Sequence, residues 1–329
     1  MRIPPLAPAL ILCALSSAQL RADAPFLWGV TGTAGAASTL YAINPTTGKA
    51  TRVGDTGLEN VSGLSVHPAT QILYATQGQL GGTKSLLILN KRTAAASVIG
   101  DLGEAIADSA FNAAGTLFIY GASSRDLYTA NLSTAAKTTI KADAAEIGGC
   151  GITFGLTGKL FLNRSTVIRE LNPANGNQVT QVLLNGATTD LDNLLTTRPD
   201  GVLVAGKRNN KAAPTQLYTV DPTTGTTVML GSVNLALSGM TFDVAPTPVF
   251  KLKGSATIRT SKKTHRLQGT YTSIVPCTIT GGKSSVAAKS GPWSLTVRNL
   301  KPGTNTIRLK CVDAVAQTVS RTVRIIVED

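Results

Sequence analysis

Histidine is almost missing from this sequence: His67 and His265 are the only two among 329 residues. A Ser-His-Asp or Cys-His constellation in the first two thirds of the chain would have to recruit His67. That residue sits in Val66-His67-Pro68, a turn between two strands, which argues against nucleophilic catalysis of that kind. A His-rich zinc or iron site lacks its ligands for the same reason. Aromatic residues make up only 5% of the chain, and none interleaves with the densest basic cluster, Lys262, Lys263, His265 and Arg266. Base stacking, and with it nucleic-acid recognition, is therefore not expected there. Acidic residues are also few, 18 against 31 Lys and Arg. After the first two dozen residues no stretch reaches the ~18–20 apolar residues that a membrane helix needs.

Those first residues read as a secretory leader, with Arg2 as the positive end, Leu6 to Leu15 as the apolar run and small residues after it. Cleavage is open between Ala18, Ala22 and Ala24; the last two are favoured because Phe26 already reads as strand. The expected location is secreted or periplasmic. Of the four cysteines, Cys13 falls in the leader, which leaves Cys150, Cys277 and Cys311. An oxidising compartment permits a disulfide.

From Phe26 to Val244 one phrase recurs. Its clearest copies are Leu40-Tyr41-Ala42-Ile43-Asn44-Pro45-Thr46-Thr47-Gly48 and Leu217-Tyr218-Thr219-Val220-Asp221-Pro222-Thr223-Thr224-Gly225. Weaker copies end their strands at Asn90, Asn131 and Asn172. The Asx side chain bonds the turn backbone, Pro presets φ, and Gly takes the positive-φ position, so each copy predicts a strand followed by a tight turn. The strands that open each unit align at Ser62, Asp108, Cys150, Asp192 and Ser238, with intervals of 46, 42, 42 and 46 residues. Four short strands per unit at this period predict a β-propeller. Five blades fit the 218 residues from Phe26 to Asp243; six, with one degenerate, is the alternative. Leu27-Trp28-Gly29-Val30 has no opening strand before it, and Met240-Thr241-Phe242 has none after it. Together they should complete one blade and remove the open sheet edges.

The Leu-Tyr-x-Ile-Asn/Asp-Pro-x-Thr-Gly phrase resembles the turns of exported bacterial propellers of the quinoprotein-like and lactonase-like superfamily. That resemblance implies a fold and no particular activity.

Ala245-Pro246-Thr247-Pro248 reads as a short stiff linker. The boundaries that follow are 1–22 for the leader, 23–244 for the propeller, 245–248 for the linker and 249–329 for a β-sandwich of seven short strands. The run Gly291-Pro292-Trp293-Ser294-Leu295-Thr296-Val297, with Leu300 to Ile307 and Val312-Asp313-Ala314, looks like the immunoglobulin-like repeats of bacterial exported and surface proteins. In Ile307-Arg308-Leu309-Lys310-Cys311 apolar residues alternate with charges, so Cys311 faces inward, as does Cys277. A Cys277–Cys311 disulfide is expected. The tail carries 14 Lys and Arg against Asp313, Glu328 and Asp329, while residues 24–246 carry 15 against 14. A basic module of this kind attracts polyanions, with Lys262, Lys263 and Arg266 as the candidate contacts.

In the propeller the carboxylates remain to be considered. Connections into the opening strands hold Asp55, Glu59, Asp101, Glu104, Asp108, Asp143, Glu146, Asp190 and Asp192. Loops on the same face carry Lys84, Arg125, Arg164, Lys207, Arg208 and Lys211, which predicts an acidic funnel inside a basic rim. Ser62, Asp108, Cys150, Asp192 and Ser238 are the candidate ligand-binding ring, and Cys150 by itself reads as a small buried residue. Asp108 and Asp192, two blades apart, are the candidate pair for a hard cation such as Ca²⁺. No cofactor is firmly expected. The favoured function is a non-catalytic binding or scaffold protein whose propeller face meets an envelope or extracellular protein or polysaccharide, and whose basic tail attaches to an anionic surface. The alternative is a cation-dependent hydrolase or lyase at the channel mouth, with Glu59, Glu104, Glu146 or Asp190 as general base.

Overall fold

A computed structural model describes residues 24–33, 35–78, 82–145, 150–209, 212–245, 248–273, 275–313 and 317–328. The leader, Glu146, Lys211 and residues 246–247 of the linker lie outside the described residues. The described residues are all-β, without a helix.

Five sheets span Ala24 to Ala245. Sheet 1 joins Leu237–Ala245 to Ala24–Thr33, Ala36–Ile43 and Ala50–Asp55. Sheet 2 holds Val61–Val66, Leu73–Gln77, Ser85–Leu89 and Ala96–Asp101. Sheet 3 holds Ile106–Phe111, Leu117–Gly121, Leu127–Ala130 and Lys137–Lys141. Sheet 4 holds Gly151–Phe154, Leu160–Arg164, Val167–Leu171 and Gln178–Leu183. Sheet 5 holds Leu195–Thr197, Leu203–Asn209, Ala212–Val220 and Thr226–Val233, with Asn185–Gly186 added at its edge. The first strand named in each sheet touches the next in cyclic order, and Leu195–Thr197 returns to Leu237–Ala245. The arrangement is β-propeller-like.

Strand alternation builds the ring. Phe26 and Trp28 face sheet 2, where they pack with Leu64, Leu73 and Leu87, while Leu27 faces sheet 5 with Val204 and Leu217. The same alternation sends Tyr74 towards sheet 3 and Phe118 towards sheet 4. Each second strand is thus buried on both faces, which is why Leu117-Phe118-Ile119-Tyr120 is continuously apolar instead of alternating. The two ends of the ring meet as expected: Leu27 is in register with Phe242, Trp28 with Thr241 and Gly29 with Met240. On the last residues of that closing strand, Asp243 is buried and accepts hydrogen bonds from Trp28 Nε1 at 2.8 Å and Lys91 Nζ at 2.6 Å. Lys91 belongs to the turn of sheet 2, so one carboxylate ties the closing strand to the first strand and to the neighbouring sheet.

All five turns are Asx turns. Asn44 Oδ1 accepts from the amides of Thr46 and Thr47; Asn90, Asn131 and Asp221 likewise accept two amides in their own copies, and Asn172 accepts from Ala174. Every turn sits on the outer strand of the preceding sheet, and the fit is complementary. Gly48 and Gly225 lie so close that a Cβ would stand 1.8 Å from the Ser232 carbonyl oxygen and 2.0 Å from that of Leu183. Ala94 and Ala135 occupy the same positive-φ position in their turns, and there the facing strand supplies the glycine instead, Gly54 and Gly100. Replacing Gly48 by alanine combines a strained φ of +67° with a clash against backbone. We expect it to cost about 1–3 kcal/mol, measured as a lower urea midpoint at unchanged m-value; an unchanged midpoint would contradict this packing.

Residues beyond the ring form two sheets packed face to face. Val249–Leu252, His265–Thr272 and Gly291–Val297 form one; Thr257–Thr260, Thr318–Val327, Gly303–Asp313, Cys277–Gly281 and Ser284–Ala288 form the other. Phe250, Tyr271 and Trp293 from the first meet Ile279, Leu309 and Ile325 from the second in a shared core. Ser284–Ala288 is an eighth strand that the sequence reading does not contain. Its small, polar residues have low strand propensity, and it forms at the edge through pairing with Cys277–Gly281. Val275 packs with Phe26 and Trp28, and Lys289 Nζ donates to the Val53 carbonyl at 3.2 Å, so this module rests on sheets 1 and 2.

Candidate functional site

The channel through the ring is where the candidate residues gather, and the strand register sorts them. Ser62 is in register with Thr76 and Asp108 with Tyr120, equivalent positions three residues beyond Leu73 and Leu117. In sheets 4 and 1 that position is held by Gly151, opposite Asn163, and Gly239, opposite Val30. Cys150 and Ser238 therefore each miss the ring of equivalent residues by one position, and Asp192 precedes its strand altogether. Bulges between Ser62 and Ser65 and between Ile106 and Asp108 shift the register, which is why aligning the strands by sequence misleads.

Asp108 lies on the inner strand of sheet 3 and is buried. Its carboxylate accepts from its neighbour Ser109 at 2.9 Å, from Ile152 of sheet 4 at 3.0 Å, and from the amide of Leu195 of sheet 5. One side chain thus ties three successive inner strands together. Burial pushes its carboxyl well above the ordinary value of 3.8, against the opposing pull of the three amides. Asp192 has a different partner: Arg208 donates to it through the backbone amide at 2.7 Å and through Nε at 3.1 Å. Asn193 extends this network, accepting from Arg208 Nη2 at 3.1 Å and donating across to the Ala107 carbonyl. Asn163 Nδ2 donates to the Asp192 carbonyl at 2.8 Å. The two carboxylates are therefore engaged separately, one by backbone and one by a guanidinium. Among the described residues no group of three His, Cys, Asp or Glu side chains stands close enough to hold a metal ion.

Other members of the expected ring have structural partners too. Ser238 Oγ donates to the carbonyls of Val30 and Val61, bridging sheets 1 and 2. Ser62 Oγ meets Thr76 Oγ1 at 3.3 Å. Cys150 is a fully buried thiol beside Tyr120, and burial pushes it up to about 12 despite the nearby Arg164 and Arg169. Several acids of the expected funnel are paired with cations. Arg125 meets Asp143 at 3.0 Å, Lys207 meets Asp190 at 3.6 Å, and Lys137 with Ser124 engages Glu104. Glu59 accepts from the Gly35 amide. His67 caps its own turn, Nδ1 accepting from the amides of Ala69 and Thr70, while its ring packs against Phe111.

The sequence reading misses a second layer of the channel. Ser65, Ser109, Thr153, Thr197 and Thr241 recur at a constant interval of 44 residues and line a cavity of about 150 Å³, with Phe111, Phe154 and Phe242 beside them. Ser65 bonds Ser109 at 3.1 Å and Thr153 bonds Thr197 at 3.0 Å. The unbroken interval of hydroxyl residues was the available signal. Such a layer offers neutral donors and acceptors to water or a small polar molecule.

In the basic module Lys262 and Lys263 are exposed in the turn before His265–Thr272, and Arg266 is exposed on the three-stranded sheet, its Nε donating to Ser294 Oγ at 2.5 Å. The expected Cys277–Cys311 disulfide is not formed. Both are buried thiols, and the strand register sets Cys277 opposite Asp313 and Cys311 opposite Ile279. They are diagonal neighbours whose sulfurs meet through a hydrogen bond. That bond draws the Cys277 thiol down, against burial, and pushes Cys311 up.

No family model matches the chain, and no curated protein matches it. Solved structures do resemble it. A chain of the nidogen/laminin complex matches over 67% of this chain and 98% of its own, at 14% identity and a TM-score of 0.44. Myxococcus xanthus glutaminyl cyclase matches over 54% of this chain and 71% of its own, at 18% identity and 0.41. A protein of unknown function from Bacteroides caccae matches over 67% and 99%, at 11% identity and 0.41.

Proposed function

We propose that this is an exported, non-catalytic binding or scaffold protein, built as a five-bladed propeller of the quinoprotein-like and lactonase-like kind followed by an immunoglobulin-like sandwich. The five sheets are its blades, the propeller face meets a ligand or partner, and the basic sandwich attaches the molecule to an anionic surface. The observation that carries this reading is the engagement of the channel carboxylates. Asp108 is held by three backbone amides and Asp192 by Arg208. These contacts take up most of the acceptor positions of Asp108 and one oxygen of Asp192, which leaves less of each carboxylate for a general base or a cation ligand. The tail's 14 cationic side chains against three acids support the attachment.

The test is retention of the full chain on heparin-agarose. Binding through exposed charge is screened on the scale of the Debye length, about 10 Å at 0.1 M salt. Retention should therefore fall steeply between 0.05 and about 0.5 M salt; retention indifferent to salt, or none at low salt, contradicts the attachment.

A further inference from the structure

Resting on the attachment proposed above, we infer that the polyanion site is the outer face of the five-stranded sheet, centred on Arg308, Lys310 and Arg324, and that its ligand is a linear acidic polysaccharide.

The strand register builds this face. Leu309, Cys311, Val323 and Ile325 point into the shared core, so the alternate residues Arg308, Lys310 and Arg324 are exposed on the opposite side. Arg308 and Lys310 are two residues apart on one strand, about 7 Å. Arg308 is opposite Thr322, two residues from Arg324 on the adjacent strand, which makes the two arginines diagonal neighbours within about 8 Å. None of the three is in an ion pair among the described residues. The acid at this edge, Glu328, is taken up by Arg259 at 2.6 Å.

Hydroxyl side chains interleave with the cations. Lys310 lies between Ser320 and Thr280, Arg308 is opposite Thr322, and Arg324 lies between Thr306 and Thr257. At the Lys310 end the face runs into a groove of about 420 Å³ against sheet 1, where Thr278 and Thr280 face Lys49 and Thr51. Lys49 thus adds a cation to the end of the track. A polymer bearing both anionic groups and hydroxyls matches this alternation of cation and Ser/Thr. A nucleic acid would want aromatic faces for its bases, and a lipid surface would want exposed apolar side chains; the track carries no aromatic, and its apolar residues Val312 and Ile326 are half-buried. Lys262, Lys263 and Arg266, prominent in the sequence, lie at a turn and on the opposite sheet.

The experiment measures binding of the full chain to immobilised polygalacturonate, with poly(dT) as competitor. Two charge-reversed sets are compared, R308E/K310E/R324E and K262E/K263E/R266E, with R308Q/K310Q/R324Q as a milder form of the first. All these side chains are exposed, so melting temperatures should match the wild type. We expect the first set to weaken binding at least about tenfold and the glutamine set to weaken it less, while the second set stays within about twofold. Wild-type binding that survives R308E/K310E/R324E overturns the placement and leaves the attachment standing. No wild-type binding to either polygalacturonate or heparin overturns both. Displacement by poly(dT) at concentrations where free polygalacturonate fails overturns the polysaccharide assignment.

Discussion

Replacing Asp243 by alanine should lower the free energy of unfolding by about 3–5 kcal/mol, the cost of leaving the partner of a buried ion pair without its counter-charge. Lys91 keeps its ammonium nearly enclosed and Trp28 its indole N–H fully buried, and both depend on the same oxygen of Asp243. The loss falls on the closing strand, whose other anchors are its register with Ala24–Thr33 and the packing of Met240 and Phe242. Asp243→Asn should cost less, since it keeps an acceptor for Trp28 and loses the charge. Adding Lys91→Met to Asp243→Ala should recover part of the loss, because no ammonium is then stranded. Urea unfolding of the three variants reads these differences. An Asp243→Ala chain as stable as wild type would contradict the lock.

Asp108→Ala should be comparably severe, about 3–5 kcal/mol in total, because three amides on three strands lose their acceptor and each buried unpaired donor costs about 1–3 kcal/mol. Asp108→Asn retains one acceptor oxygen and should be milder. The pH dependence separates the two effects. Burial sets the folded carboxyl above its ordinary value of 3.8. A group raised on folding contributes fully below the unfolded value, and that contribution is lost as pH rises through the folded one. The wild type should therefore lose stability relative to Asp108→Asn as pH climbs from about 4 towards neutrality. A stability difference independent of pH, or one that grows in favour of wild type, contradicts a carboxyl raised by burial.

Local chemistry made much of the ring legible. The five Asx turns follow from Asn44, Asn90, Asn131, Asn172 and Asp221 because each side chain bonds amides two or three residues away. The pairing of the two ends of the ring also followed, since neither end had another strand to complete. Contacts between sheets were not legible. The exchange of Gly48 for Ala94 with a compensating Gly54 joins residues about one repeat apart, and only their approach in space reveals it. The site shows the same division. Asp108 and Asp192 stand out as carboxylates in the sequence, but the partners that decide their roles are backbone amides of Ile152 and Leu195 and a guanidinium sixteen residues downstream. Backbone donors carry no residue signature. Similarly, Arg308, Lys310 and Arg324 are scattered in sequence and meet only because two long strands pair, whereas the contiguous Lys262-Lys263 cluster draws attention by adjacency alone.

Closure of the ring by its two ends underlies both the channel and the stability expectations. Pro25 and Val244 are directly opposite each other where the first and closing strands pair, near the sheet surface. Cysteines introduced as Pro25→Cys and Val244→Cys therefore fall within the Cα separation of about 4.4–6.8 Å that a disulfide spans. Under mild oxidation in dilute solution the double variant should form an intramolecular bridge in nearly every molecule, seen by peptide mapping, and should unfold at higher urea than its reduced form. Bridges that form only between molecules, or not at all in the folded protein, would contradict the closed ring.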